Sequence, residues 1–243
     1  MQLLKKAIQK ILFAIGYKLV PKISRKPGLS IGQDLIQLLE PISAPKLIFD
    51  VGAHKGESHL IYRKVFPQST IYSFEPDPET FKVLRANTAN LPAAILENAG
   101  VGAAEERLPF YINKEDSMGN SFLKVSGQDS QPFVEVPVHS LDSYTKERTI
   151  QLIDFLKIDT QGFDLEVLKG AENLLKNGQI KVIQFEAMLE PYYHQMPTVG
   201  AHLDFLLERG YKMVGMYNCH RQQAGIDWAD FLFIHPSVQE RIH

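Results

Sequence analysis

Cysteine is almost absent from this chain, in which Cys219 is the single one among 243 residues. A lone thiol excludes an intramolecular disulfide framework and a cysteine-based zinc cluster, because both need several cysteines. A chain of this length buries about three quarters of its unfolded surface, so it needs no covalent cross-links to hold a core. We therefore expect a disulfide-free fold from a reducing compartment, with the cytoplasm as its location.

An excess of charge is also lacking, since 26 basic residues are balanced by 28 acidic ones and the formal net charge is -2. This balance gives no general attraction to polyanions, so nucleic acid is not the expected partner. The chain is 44% hydrophobic and 22% charged, as is usual for a soluble globular protein.

The N-terminus lacks acidic residues, and none occurs before Asp34. Its first 26 residues nevertheless carry seven lysines and arginines, and their apolar residues recur at helical spacing. Lys10 interrupts the apolar run well short of the roughly 20 residues that span a bilayer. Residues 1–40 are therefore predicted to form a basic amphipathic extension, either docked on the domain or in peripheral contact with an anionic membrane surface.

From residue 46 onward, short β-branched runs alternate with helical stretches, which predicts an α/β fold with a parallel sheet. Residues 104–145 change character and predict a β insertion around the polar loop KEDSMGNS. The alternation then resumes, with one helix predicted to end at Gly178. The last two strand candidates are YKMVGMYN and ADFLFIHP, and the short link between them predicts antiparallel pairing.

The stretch FDVGAHKGES, residues 49 to 58, is predicted to be a strand followed by a glycine turn and a helix. Such a turn is a common nucleotide site, but it lacks the G-x-G spacing that lets backbone close on a pyrophosphate. Asp50 would repel a diphosphate and attract an ammonium or sulfonium group, by roughly 4 kcal/mol at about 4 Å and intermediate dielectric. S-adenosylmethionine carries both groups.

Two further strand ends indicate an adenosine. Glu75 stands 23 residues after Gly52, where an acid can accept both ribose hydroxyls. NAD would use such a glutamate equally well. Asn98 and Ala99, in ENAGVG, are predicted to lie beside the adenine, although Asn98 could instead cap a turn.

A second acidic centre follows in LKIDTQG, where a buried strand ends in Asp159. Glu186 ends the next strand at the same edge of the predicted sheet, and His139 and His194 are candidate bases, since histidine is the usual general base at neutral pH. Each has a structural alternative, because Asp159 could cap the following helix and a lone histidine is often a structural residue. The spacing of these residues predicts no metal site.

With these stretches in place, the chain resembles the FkbM-type methyltransferases, a class I family that depends on S-adenosylmethionine. The resemblance runs from about residue 46 to 236 and rests on FDVGAHKGES, FEPDPETFKVLRAN, NAGVG, GNSFL, LKIDTQGFDLEVLKGAENLL, the QFE strand end and ADFLFI. It implies a Rossmann-like methyltransferase domain over residues 41–243, with a seven-stranded, mainly parallel sheet whose last strand is antiparallel. It also implies methyl transfer to a hydroxyl oxygen on a sugar, glycolipid or polyketide-like acceptor.

The resemblance also implies a set of site residues. Those expected to contact the cofactor are Asp50, Gly52, Ala53, His54, Gly56, Glu75, Pro76, Asn98, Ala99 and Asp159. The family often has Asn where this chain has His54, and often Glu where it has Gln161, which makes Gln161 a poor general base.

The catalytic hypothesis is that Asp159 orients the acceptor or takes its proton, with Glu186, His139 and His194 as alternatives. The insertion is expected to cover the acceptor. Two other interpretations stay open at this point: an NAD-dependent oxidoreductase of Rossmann type, and a catalytically inactive cofactor-binding subunit. A nucleic-acid methyltransferase is disfavoured, because no N/D-P-P-Y/W motif follows the fourth strand.

Overall fold

A computed structural model of the chain describes residues 30–39, 47–128, 130–221 and 225–239. The basic helix predicted over residues 1–26 lies outside these ranges. In the described part, no helix is long and apolar enough to cross a membrane.

The centre of the structure is a seven-stranded sheet. Its strands are β1 (Leu47–Val51), β2 (Thr70–Phe74), β3 (Ala94–Glu97), β7 (Ile153–Ile158), β8 (Ile180–Met188), β9 (Lys212–His220) and β10 (Trp228–Ile234), in the spatial order β3-β2-β1-β7-β8-β10-β9. The first five strands in this spatial order are parallel to one another, and β10 runs antiparallel to both of its neighbours, β8 and β9. The predicted mainly parallel sheet, with its last strand reversed, is confirmed.

Helices cover the sheet on both faces. They are α1 (Ile31–Leu39), α2 (Glu57–Val65), α3 (Pro78–Thr88), α4 (Leu141–Glu147), α5 (Asp164–Lys169), α6 (Glu172–Lys176), α7 (Val199–Glu208) and α8 (Pro236–Gln239). Successive residues of β7 alternate between the two cores: Phe155 packs with α1 and α2, and Leu156 with α4 to α7. Burial on both faces explains why four of the six residues of this strand are apolar.

The helix predicted to end at Gly178 is instead two helices, α5 and α6, separated at Gly170. A side chain at Gly170 would overlap the carbonyl oxygen of Gly102, so this position is a point of close backbone approach. Gly178 does follow α6, with the positive φ of 62° that glycine adopts easily. The glycine at position 170 is therefore required by a segment that is distant in sequence.

Two strands within the predicted insertion, together with a short strand that precedes it, form a second, three-stranded sheet. It contains β4 (Gly100–Val101), β5 (Glu106–Tyr111) and β6 (Phe133–His139), with β5 antiparallel and β4 parallel to β6. Its own small core includes Phe122 and Phe163, whose rings lie 4.8 Å apart. Because Phe163 follows β7, this contact places the insertion over the carboxyl end of the main sheet.

Candidate active site

A cavity of about 320 Å³ lies at the carboxyl ends of β1, β2 and β7, beneath the small sheet. The loop after β1, the end of β2, the turn before β4 and the loop after β7 line one side. Residues of the insertion line the other. The position agrees with the rule that ligands of open α/β sheets bind outside the carboxyl ends of the strands.

The loop after β1 brings backbone to the cavity wall. The N–H groups of Gly52 and Ala53 both donate to the Phe74 carbonyl oxygen at 3.0 Å, which joins the ends of β1 and β2. Gly52 has φ of 78°, and any side chain there would overlap the carbonyl oxygen of Asp159. Gly56, also predicted to bind the cofactor, precedes α2 at φ 94° and packs against Leu84 without lining the cavity.

His54 lines the cavity and connects it to the insertion. Its ring Nε2 lies 2.8 Å from the Ser117 hydroxyl, and its backbone N–H donates to Glu75 Oε2 at 2.9 Å. The residue adopts a positive φ of 49°, which is uncommon for a side chain of this size. His54 therefore bridges two segments that are 63 residues apart.

Glu75 has a buried carboxylate at the cavity wall, only 5% exposed. Its Oε2 accepts from His54 N–H and its Oε1 from Asp77 N–H, each at 2.9 Å. Burial raises the pKa of Glu75 to about 8, although these two hydrogen bonds act in the opposite direction. Since a carboxylate oxygen offers two lone pairs, both oxygens keep capacity for a further donor.

The predicted cofactor-binding residues that follow Glu75 and β3 have two different positions. Pro76 and Ala99 line the cavity, as the sequence predicted for cofactor contacts. Asn98 does not: its amide donates to the backbone oxygens of Glu75 at 2.8 Å and Pro76 at 3.2 Å. Its position matches the alternative of a turn-stabilising role.

Asp50 lies below the cavity wall, fully buried, and is not among the lining residues. Its carboxylate Oδ1 lies 3.4 Å from the Nζ of Lys157. In this structure a lysine of the neighbouring strand lies beside the Asp50 carboxylate, and direct contact between Asp50 and the cofactor stays a prediction.

Lys157 lines the cavity and was missed from the sequence. Its Nζ lies 3.2 Å from Asp159 Oδ2 and donates to the Gly52 carbonyl oxygen at 3.3 Å. Burial acts to lower the pKa of Lys157, but attraction to Asp159 and Asp50 raises it above its ordinary value. In the sequence, Lys157 is recognisable as a charged residue between the apolar residues Leu156 and Ile158 of β7.

Asp159 lines the cavity with a side chain that is 33% exposed. Gln161 holds it from the other side, donating through Nε2 to Asp159 Oδ1 at 3.0 Å and to Glu186 Oε1 at 3.2 Å. Glu186 itself does not line the cavity, and it reaches the site only through this amide. Burial, followed by repulsion from Asp159, Asp164 and Asp230, raises the pKa of Glu186 to about 8.

The two candidate histidines lie outside the cavity lining. His139 Nδ1 is 2.7 Å from Glu105 Oε2, in an ion-pair geometry on the insertion. His194 is exposed, and its backbone N–H donates to the Lys124 carbonyl oxygen at 2.8 Å. Asp159 therefore lines the cavity, whereas the other three predicted catalytic residues do not.

The insertion contributes residues that were not individually predicted as site residues, although most of them lie in the stretches KEDSMGNS and GNSFL. Its cavity-lining members are Phe110, Ser117, Met118, Asn120 and Phe122. The Ser121 hydroxyl donates to the Gln161 carbonyl oxygen at 2.8 Å, and the Tyr193 hydroxyl donates to that of Gly119 at 3.2 Å. These bonds fasten the polar loop of the insertion to the ends of β7 and β8. Over the described ranges, no group of three or more potential metal-ligating side chains is assembled.

The buried acids of the site predict how the stability of the free protein depends on pH. Burial raises the pKa of Glu75 and Glu186 to about 8 and that of Asp164 to about 7. Between their ordinary and raised pKa values these groups bind more protons in the folded state than in the unfolded state. They stabilise the fold at about pH 4, and this contribution is lost as pH rises to about 8.

We therefore expect the melting temperature of the ligand-free protein to fall between about pH 6.5 and about pH 8.5, above the range in which the lowered pKa values of His59 and His202 act in the opposite direction. Differential scanning calorimetry across this range measures the slope. Glu186→Gln cannot ionise and should flatten it. A melting temperature that increases over the range would contradict the raised pKa values of these acids.

Comparisons with known proteins agree with this geometry. The family model described as methyltransferase FkbM domain matches residues 50–213. Hexuronic acid methyltransferase AglP of Haloferax volcanii is 26% identical over 174 residues, covering 71% of this chain and 70% of the relative. The 2-O-methyltransferase NoeI of Sinorhizobium fredii is 24% identical, covering 75% and 79%.

Among solved structures, N-methyltransferase NodS of Bradyrhizobium japonicum superposes with a TM-score of 0.48 at 12% identity, covering 84% of this chain and 93% of NodS. The FkbM model matches well over half of the chain, including the strand ends that line the cavity. The chain therefore belongs to the FkbM methyltransferase family and is an S-adenosylmethionine-dependent methyltransferase.

Proposed function

We propose that this protein methylates a hydroxyl oxygen of a sugar, as a free glycan, a glycolipid or a glycosylated metabolite. The observation that carries the proposal is the position of Asp159, a carboxylate at the wall of a cavity that the cofactor loops and the insertion line together. The relatives named as acting on hexuronic acid and as a 2-O-methyltransferase support the choice of a sugar hydroxyl.

The residues present fit S-adenosylmethionine. Glu75 keeps a free lone pair on each carboxylate oxygen, as two ribose hydroxyls require. The cavity lining includes four small residues, Gly52, Ala53, Ala99 and Gly100, which leave room for a flat base and a thin chain. We infer that Glu75 binds the ribose, that Ala99 contacts the adenine, and that the backbone at Gly52 and Ala53 borders the methionine portion.

The bound cofactor supplies a methyl group on a positively charged sulfur, whose neutral thioether is a good leaving group. The protein must hold the acceptor oxygen in line, exclude water and accept one proton. We infer that Asp159 accepts a hydrogen bond from the acceptor hydroxyl and takes its proton as the oxygen–carbon bond forms. Gln161 keeps the carboxylate in place through its amide, 3.0 Å from Oδ1.

The insertion is proposed to cover the acceptor. Met118 lines the cavity and is 65% exposed, so its side chain lies at the mouth. The turn that carries it is held down by the contact between Ser117 and His54. An acceptor that enters beside Met118 would meet Asp159 at the base of the cavity.

The first experiment separates binding from turnover. Isothermal titration with S-adenosylhomocysteine should give binding to the purified protein, and Glu75→Ala should abolish it because the ribose hydroxyls lose their acceptor. Methyl-labelled S-adenosylmethionine is then supplied with hexuronic acid glycosides, neutral hexose glycosides and simple secondary alcohols. Mass spectrometry of the products should locate the label on a sugar oxygen.

The outcomes distinguish the remaining interpretations. Binding of the cofactor product without transfer to any acceptor, including extracts of the source cells, would favour an inactive binding subunit. Label on a nitrogen or a carbon would refute the choice of a hydroxyl. Dependence on a nicotinamide nucleotide would contradict the whole assignment.

A further inference from the structure

Lys157 occupies a position that the reaction described above does not use. Its side chain is only 8% exposed, yet its ammonium group reaches three partners on two strands. They are Asp159 Oδ2 at 3.2 Å, Asp50 Oδ1 at 3.4 Å and the Gly52 carbonyl oxygen at 3.3 Å. The lysine therefore joins the cofactor loop after β1 to the acid after β7.

The strand register explains how this arrangement is reached. In the pairing of β1 with β7, Lys157 lies directly opposite Asp50. Asp159 follows two residues later, and its backbone N–H donates to the Val51 carbonyl oxygen at 3.0 Å. Residues two apart on a strand point to the same face, so Lys157 and Asp159 approach the cavity from one side.

We propose that Lys157 is a positioning residue, whose ammonium group acts as the counter-charge of the Asp159 carboxylate, orients it at the cavity wall and ties the Gly52 loop to it. The inference rests on the role of Asp159 proposed above. It extends that role, because a carboxylate with other acidic groups nearby needs a neighbouring positive charge to remain an acceptor of hydrogen bonds.

The surroundings of Asp159 are otherwise acidic. The titratable groups that interact with it, in addition to Lys157, are Asp50 on β1, Tyr62 on α2, Asp164 on α5, Glu186 on β8, Tyr193 after β8 and Asp230 on β10. The carboxyl groups of this set, when ionised, repel the negative charge of Asp159. The two tyrosines carry no positive charge that would offset it. Lys157 is the cation of this group, and its removal favours the protonated form of Asp159.

The direct test follows the carboxyl carbon of Asp159 by NMR in ¹³C-aspartate-labelled, ligand-free protein, with Asp159→Asn used to assign the signal. In Lys157→Met, the midpoint of this titration should move to higher pH by about one unit or more. The acidic limb of the pH–rate profile should move in the same direction, and kcat at neutral pH should fall at least tenfold. An unchanged midpoint would overturn the inference.

Lys157→Met leaves Asp50 buried without its partner, so the single variant could fail to fold. Lys157→Met combined with Asp50→Asn removes both charges and should recover most of the lost melting temperature. The Asp159 midpoint should still lie above that of the wild type, since the lost attraction at 3.2 Å outweighs the repulsion removed with Asp50. A purely structural lysine would give a double variant with wild-type titration and turnover.

Lys157→Arg is the conservative control. It keeps the charge, so the midpoint should return close to the wild-type value, while kcat stays reduced because a planar guanidinium fits three converging partners poorly. If Lys157→Met shifted the Asp159 midpoint but left methyl transfer undiminished, the effect of Lys157 on Asp159 would be supported. The role of Asp159 as proton acceptor would be refuted. The two proposals therefore fail in distinguishable ways.

Discussion

Asp159→Asn should lower kcat for methyl transfer by about 100-fold or more, because general base catalysis contributes roughly that factor or more. The amide cannot take the acceptor proton, yet it has nearly the same shape and can still meet Gln161 after rotation. The dissociation constant of S-adenosylhomocysteine should change only a few-fold, since the ribose contacts at Glu75 are retained. Steady-state kinetics with the acceptor found by labelling, together with titration calorimetry, measures both quantities.

Two variants serve as controls for this substitution. Asp204 is exposed on α7, so Asp204→Asn makes the same chemical change away from the cavity and should leave kcat unchanged. Glu186→Gln tests the alternative base, and its effect should be smaller because Glu186 reaches the cavity only through Gln161. Undiminished turnover in Asp159→Asn, or a greater loss in Glu186→Gln, would reassign the proton acceptor.

Gly52→Ala should remove binding of S-adenosylhomocysteine and lower the free energy of unfolding by about 2–5 kcal/mol. Two costs combine at this position. The backbone has φ of 78°, which disfavours a side chain, and the added methyl would overlap the carbonyl oxygen of Asp159. Since this oxygen belongs to the backbone, relief requires the ends of β1 and β7 to separate, which displaces Asp159 as well.

Gly210→Ala isolates the first of these costs. Gly210 has nearly the same φ, 80°, but a methyl group there would meet nothing within 4 Å. Chemical denaturation should show a loss of only about 1–2 kcal/mol for this variant, with ligand binding intact. Equal losses in the two variants would show that close approach of β1 and β7 does not determine the glycine at position 52.

Local patterns in the chain predicted most of the frame of the site. Alternating β-branched and helical runs predict a parallel sheet, and parallel strands bring their carboxyl ends to one edge. The positions of Gly52, Glu75 and Asp159 in this pattern therefore predict that they share one cavity. The residue types also indicate the chemistry, because the tight turn after β1 favours glycine and the two hydroxyls of a ribose bind to a carboxylate.

Only tertiary structure decided which neighbouring side chains face the cavity. Asp50 lies beneath the wall, paired with Lys157, which lines the cavity; Asn98 and Gly56 shape loops, and His139 and His194 lie elsewhere. The direction of a side chain at a strand end depends on the packing of the next strand and the following loop.

The chain by itself thus determined the order of strands and helices, the glycine turn and the acids at the strand ends, because each depends on residues close in sequence. The counter-charge from Lys157 and the bridge between His54 and Ser117 were decided by tertiary structure. The physical reason is that these contacts join segments far apart in the chain, and their distances exist only after the sheet and the insertion have packed.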